Sequence, residues 1–254
     1  MAQDTLRVMK IGGNELDNPD FLAGLAQAVV FLEGPCLIVH GGGKGIAALQ
    51  SRLGLQEIKV DGLRVTDAES LQVVEMALSG SANKVLVRAL LAAGVMAAGI
   101  SGVDGGLLRC NKLQHPSADL GFVGEIVAVN GAVIEALLAA GITPVVSPIS
   151  LGLDGQTYNV NGDQAATGIA AALGAVTLDF VSNVPGVLQD GNVLPHLTIR
   201  GSEALIDSGV IHSGMVPKVR AAVEAVRRGV PQARIVDLAG LQNGGGTRFT
   251  SASD

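Results

Sequence analysis

Tryptophan is absent from this chain of 254 residues, and tyrosine occurs once, at Tyr158. The aromatic platforms on which unpaired bases stack are therefore missing, which argues against a binder of single-stranded nucleic acid. Positive charge is scarce too. The only lysines are Lys10, Lys44, Lys59, Lys84, Lys112 and Lys218, and the formal net charge is −6. A nucleic-acid backbone asks for a basic face, so nucleic acid is not an expected partner. A small anion needs only a few well-placed lysines, and that class stays open. Cysteine is nearly absent: Cys36 lies inside an apolar run and Cys110 far along the chain. Two such residues make no disulfide framework, and reduced thiols in a cytoplasm are the simple reading. Long hydrophobic runs are missing as well. The longest, Ala89 to Ile100, is interrupted by Gly94 and Gly99 and falls short of the roughly 20 apolar residues that span a membrane. Met1 to Arg7 contains Gln3 and Asp4 and leads into no long apolar region, so no secretory signal is expected.

What is present is a large apolar fraction, 48%, enough for a sizeable core. It is distributed as an alternation. Short apolar runs at Leu6–Ile11, Cys36–His40, Met96–Ser101, Thr143–Ser147, Thr177–Ser182 and Arg234–Val236 each end near Gly, Ser or Pro. Between them, Ala68 to Ala93, Gly131 to Ala140, Asp163 to Leu173 and Met215 to Arg228 carry helical periodicity. Strands that are apolar throughout, alternating with helices, predict an α/β fold with one mainly parallel sheet covered on both faces. Leu107 to Val129 breaks the rhythm and reads as a hairpin excursion at one edge, either a cover for a substrate site or a decorative loop. Thr247 to Thr250 reads as a last strand.

Three glycine-rich turns follow predicted strands: Lys10-Ile11-Gly12-Gly13, His40-Gly41-Gly42-Gly43 and Ser182-Asn183-Val184-Pro185-Gly186. In open parallel sheets ligands sit beyond the carboxyl ends of strands. Glycine lets the backbone approach closely, so that successive N–H groups can face an anion. A helix beginning near Lys44 would add its positive end. The P-loop pattern is absent. A dinucleotide-binding pattern does occur, as Gly43, Gly45 and Ala48 with Asp61 further on. It predicts a strand ending at the acid, and Asp61-Gly62-Leu63-Arg64 does not look like one. A nicotinamide-dependent dehydrogenase is the alternative that rests on it.

Two segments carry further polar residues. Asn159-Val160-Asn161-Gly162-Asp163 precedes an alanine-rich helix. One capping residue would account for Asn161 or Asp163, but not for three polar side chains in five positions. Gly214-Met215-Val216-Pro217-Lys218 opens another helix, and a lysine there faces the positive end of the helix dipole unless an anion binds beside it. Lys10 is equally out of place, a charge at the end of an apolar strand, where it needs a partner. His40 reads as a hydrogen-bonded structural residue rather than an acid–base catalyst.

Together these pieces resemble the amino acid kinase family over nearly the whole chain. The resemblance also takes in Asp61-Gly62-Leu63-Arg64-Val65-Thr66-Asp67, Asn83-Lys84 and Leu120-Gly121-Phe122-Val123-Gly124-Glu125. The Gly-Leu-Arg-Val-Thr run points to the branch that phosphorylates N-acetylglutamate in arginine biosynthesis. The implied fold is a three-layer αβα sandwich around one open sheet. It forms a single domain with an acceptor lobe at about 1–155 and a nucleotide lobe at about 156–254. The implied catalytic residues are Lys10 and Lys218, on the transferring phosphoryl group, and Asp163, which would hold both lysines. Gly12, Gly13, Gly42 and Gly43 would cradle phosphate. Gly42, Gly43, Arg64 and Asn159 would hold the acceptor. Asn183, Val184, Gly186, Ser213, Gly214 and Met215 would border ATP, with Mg²⁺ held mainly by nucleotide phosphates and no dedicated protein metal site. Gly162 stands where alanine is usual and Asn183 where aspartate is common, both features of the relative that phosphorylates aminoadipate on a carrier protein. The short segment before Lys10 implies a homodimer insensitive to arginine.

Overall fold

The computed structural model describes residues 5–251. The expectation placed on Met1 to Asp4 falls outside that range. Eight strands form the main sheet: β1 (Arg7–Ile11), β2 (Cys36–His40), β3 (Ala97–Ser101), β4 (Thr143–Ser147), β5 (Thr177–Val181), β6 (His196–Thr198), β7 (Gln232–Val236) and β8 (Thr247–Thr250). Their order is β6-β8-β7-β5-β1-β2-β4-β3. Pairing is parallel from β7 through to β3, while β8 runs antiparallel to β7. β1 is central. The chain moves from it to β2 on one side and later to β5 on the other, so the ends of these three strands flank a topological switch point, where α/β sheets bind ligands.

Every residue of β2 and β5 is buried, as strands covered on both faces must be. Alternation divides their side chains between two cores. Val8, Leu37, Val39, Leu178 and Phe180 face one of them. There α5 (Ala132–Ala139), α6 (Gly162–Ala172), α7 (Ile199–Asp207) and α8 (Met215–Arg227) cover the sheet. Met9, Ile11, Ile38 and Val181 face the other, beneath α1 (Pro19–Phe31), α4 (Asn83–Ala92) and α9 (Leu238–Asn243). The expected three layers are present.

The predicted helix from Ala68 to Ala93 is three segments in series. α3 (Ala68–Glu75) passes into a π-helical stretch at Met76–Ala82 and then into α4. The Leu107 to Val129 excursion is a hairpin, Leu108–Lys112 with Gly124–Val129, built into a separate four-stranded sheet. Its connecting loop lies against Thr66, whose amide donates to the Leu120 carbonyl and whose carbonyl accepts from Phe122. Asp61 and Gly62, with φ of 49° and 81°, form the tight turn between Lys59–Val60 and Leu63–Arg64. Asp61 therefore does not end a parallel strand, and the acid that a dinucleotide site requires is not in place.

Candidate active site

Gly12 and Gly13 follow β1, and Gly41 to Gly43 follow β2 and open α2 (Gly43–Arg52). The two turns meet backbone to backbone. A Cβ on Gly13 would come within 2.6 Å of Gly42 Cα and Gly43 N, so only glycine fits there. Gly42, the N-cap of α2, has no side-chain cap, which leaves the first amides of that helix free for an anion. The amides of Gly13 and Gly42 meet no acceptor among the described residues.

Above this floor opens a cavity of about 320 Å³, lined by Lys10, Glu15, Asp163, Ser182, Lys218 and the turn glycines. Lys10 leaves β1 on the same face as Val8 and reaches the first turn of α6, where its Nζ lies 2.7 Å from Asp163 Oδ1. Asn161 caps that helix by accepting from the amides of Asp163 and Gln164. The segment that looked too polar for one cap thus divides its work: Asn161 caps the helix, and Asp163 serves the lysine.

Lys218 enters from the first turn of α8. Among the described residues no carboxylate lies within 4 Å of it, so Asp163 does not grip both lysines directly. Burial lowers the Lys218 pKa, Glu15 opposes that shift, Lys10 adds to it, and Asp163 opposes it. Glu15 was not anticipated. It stands two residues after Gly13, and its Oε2 is buried with no hydrogen-bond partner. A carboxylate in a turn that otherwise suits phosphate was the available signal, as odd in its place as Lys218 in the first turn of a helix.

Of the residues expected to hold the acceptor, Gly42 and Gly43 line this cavity, and Arg64 and Asn159 lie beside it. Arg64 is buried, donates to Gln50 Oε1, lies 2.6 Å from Glu57 Oε1 and reaches the Gly43 carbonyl at 3.3 Å. Asn159 donates to Thr66 Oγ1 at 3.1 Å, and Thr66 bonds back to the Arg64 carbonyl. Gly43 links this cluster to the cavity. Asn183 and Val184 lie in the loop after β5, beyond the cavity-lining Ser182. Gly186 packs against the start of β8, where a Cβ would meet Thr247 Oγ1 at 2.7 Å. Ser213, with φ of 52°, and Gly214 precede α8, and Met215 begins it. The loop is strained at a non-glycine residue five positions before Lys218, and strain of this kind gathers at functional sites.

His40 is fully buried, and burial pushes its pKa down to about 4, which suits the structural role. Both cysteine thiols are buried and pushed up to about 11, so neither is a thiolate at neutral pH. No group of three His, Cys, Asp or Glu side chains suited to a metal occurs among the described residues. No helix among them is long and apolar enough to cross a membrane.

The chain is 52% identical over 247 residues to the acetylglutamate kinase of Chloroflexus aurantiacus, covering 97% of each chain. It is 45% identical to that of Geobacillus kaustophilus over 231 residues, covering 90% of this chain and 88% of the other. Among solved structures, smu.665 from Streptococcus mutans superposes with a TM-score of 0.82 at 30% identity, covering 99% of this chain and 100% of that one. The carbamate kinase of Giardia lamblia bound to AMP-PNP shares the fold alone, at a TM-score of 0.74 and 15% identity, with 99% and 100% covered. The model of the amino acid kinase family matches residues 5–237, and the chain belongs to that family.

Proposed function

We propose that this protein is an acetylglutamate kinase. It transfers the γ-phosphoryl group of ATP to the γ-carboxylate of N-acetyl-L-glutamate, a step of arginine biosynthesis. The observation that carries the reading is the pairing of Lys10 with Asp163 and the convergence of Lys218 on one cavity floored by free glycine amides. The full-length likeness to enzymes of that name points the same way.

A glutamate-type carboxylate has a pKa of about 4.3 and is already ionised at neutral pH. No general base is required, and Asp163 acts by positioning. A carboxylate oxygen attacks the γ-phosphorus, the bond from that phosphorus to the β,γ-bridging oxygen breaks, and ADP leaves with the electron pair. The product is an acyl phosphate. The obstacle is the approach of two anions, and Lys10, Lys218 and the amides of Gly13 and Gly42 reduce it by neutralising charge on the transferring group. Mg²⁺ bound with the nucleotide supplies further positive charge there. Arg64 and Asn159 orient the acceptor, and the loops at Asn183 to Gly186 and Ser213 to Met215 border the nucleotide. The acceptor lobe spans about 1–155 and the nucleotide lobe about 156–254. A cytoplasmic homodimer fits the exposed edge of the sheet at β3, where Leu91 and Met96 are open to solvent.

Hydroxylamine trapping tests the reaction, because only an acyl phosphate yields a hydroxamate. Hydroxamate is expected with N-acetylglutamate, and not with glutamate, aspartate or aminoadipate. No hydroxamate from any acceptor overturns the reading.

A further inference from the structure

On the α4 side of the sheet lies a polar cluster that does not line the phosphoryl-transfer cavity. His40 ends β2 and faces this layer in line with Cys36 and Ile38, and Asn83 opens α4; both are fully buried. His40 Nδ1 is 2.9 Å from the Gly41 carbonyl oxygen, and Asn83 Nδ2 is 3.2 Å from His40 Nε2. A carbonyl only accepts, so Nδ1 carries the proton and Nε2 accepts from Asn83.

Asn83 cannot turn round to suit a protonated ring. Its Nδ2 also donates to the Val145 carbonyl at 2.9 Å, and its Oδ1 accepts from Lys84 Nζ at 2.8 Å. Reversing the amide would set oxygen against a carbonyl and nitrogen against an ammonium. The charged groups felt by the ring are Lys84 and Lys10, and both disfavour an imidazolium. Space for the cluster is kept at Gly99 on β3, where a Cβ would overlap Asn83 Oδ1 and come within 2.5 Å of Lys84 Nζ.

The consequence falls on the Gly41–Gly42 peptide. It is trans and planar, so its N–H points away from the carbonyl that His40 holds. Glycine on both sides would otherwise leave this unit free to reorient. Gly42 lines the cavity, and its amide has no acceptor among the described residues. We infer that His40, oriented by Asn83, is a positioning residue for phosphoryl transfer, fixing the Gly41–Gly42 peptide so that the Gly42 amide faces the transferring phosphoryl group. This inference rests on the kinase reading above.

Calorimetric titration with ADP, and with ADP plus aluminium fluoride in the presence of N-acetylglutamate, separates nucleotide binding from binding of the transferring group. In His40→Ala, affinity for the aluminium fluoride complex is expected to fall about 100-fold, the size of one lost oxyanion donor, with ADP affinity unchanged. His40→Asn keeps a donor near the Nδ1 position and is expected to recover most of that loss. Unchanged affinity for the complex in His40→Ala, or an equal loss for ADP and the complex, overturns the inference. Failure of the wild-type protein to bind either nucleotide overturns the kinase reading itself. Should the variants not fold, ¹⁵N imidazole spectra of the wild type still decide. The neutral Nδ1–H tautomer is expected, with no titration between about pH 5 and 8, where an ordinary histidine changes charge. An Nε2–H tautomer at His40, or titration in that range, overturns the inference.

Discussion

Two groups of opposed charges sit on neighbouring strands of the sheet. In the first, Asp179 in β5 receives Arg234 Nε from β7 at 2.6 Å and Arg7 from β1 at 3.5 Å. Asp179 and Arg234 are buried, with side-chain exposures of 0% and 5%. In the second, Lys10 and Asp163 meet at 2.7 Å with side-chain exposures of 18% and 25%, and Lys218 and Glu15 share the same cavity without an ion pair. The first group uses arginines, whose rigid fork suits a permanent carboxylate partner. The second uses lysines, compact charges on flexible stems that can follow a moving phosphoryl group. One group is closed by the strands around it. The other has an open cavity, free amides and a buried carboxylate oxygen without a donor. The contacts are of the same chemical kind, and both groups hold buried polar atoms without a hydrogen-bond partner, Asp179 Oδ2 and Arg234 Nη2 in the first and Glu15 Oε2 in the second. The open cavity and the free amides beside the second separate a chemical role from a structural one.

Removing one partner from each group should break the molecule in different ways. Asp179→Ala leaves Arg234 buried without its carboxylate, a loss expected to cost about 3–5 kcal/mol of stability. Urea unfolding checks this, and turnover per folded molecule should stay near the wild type. Lys218→Ala should do the reverse, with kcat/KM falling by about 2.7–4 kcal/mol of transition-state stabilisation and the melting temperature holding. Lys10→Ala should behave similarly. Near-wild-type turnover in Lys218→Ala would remove the chemical assignment of the whole cluster.

Glu15→Gln tests a weaker link. The Glu15 carboxylate favours the charged form of Lys218, whose pKa is already lowered chiefly by burial. Without it the ammonium should lose its proton at lower pH. The alkaline limb of the pH–rate profile should therefore move down in pH, with the rate lost on the alkaline side and little changed on the plateau below it. An unchanged alkaline limb would leave Glu15 with no part in holding the charge on Lys218.

The same contrast explains what was legible in the sequence. Lys10 and Lys218 could be found because each stands where its charge is locally unfavourable, at the end of an apolar strand or at the positive end of a helix. Asp179, in the middle of Thr177–Val181, offered the same signal, and its partner lies 55 residues away on a strand whose neighbour only the sheet order reveals. Which carboxylate serves which lysine depends on how α6, α8 and the Gly12–Gly13 turn converge, and spacing along the chain does not encode that. The π-helical stretch at Met76–Ala82 was hidden for another reason. Its residues are ordinary helix formers and small side chains, and their apolar pattern runs through without a break.

Gly162 sharpens the comparison at its smallest scale. It begins α6, beside the active cluster. A Cβ there would lie 3.5 Å from Lys10 Cε and 3.6 Å from the His40 carbonyl oxygen, both ordinary contacts. The conformation is helical, and glycine in a helix costs roughly 0.5–1 kcal/mol relative to alanine. Gly162→Ala should therefore raise stability by about 0.5 kcal/mol, the low end of that range because the position is terminal. Its methyl group would press on the stem of Lys10, not on its ammonium, so kcat should not change. Thermal unfolding and steady-state kinetics on one preparation decide the matter. A fall in kcat with the stability gain intact would mean that the Lys10 stem needs the space glycine leaves, and that this position belongs with the chemical cluster, not the structural one.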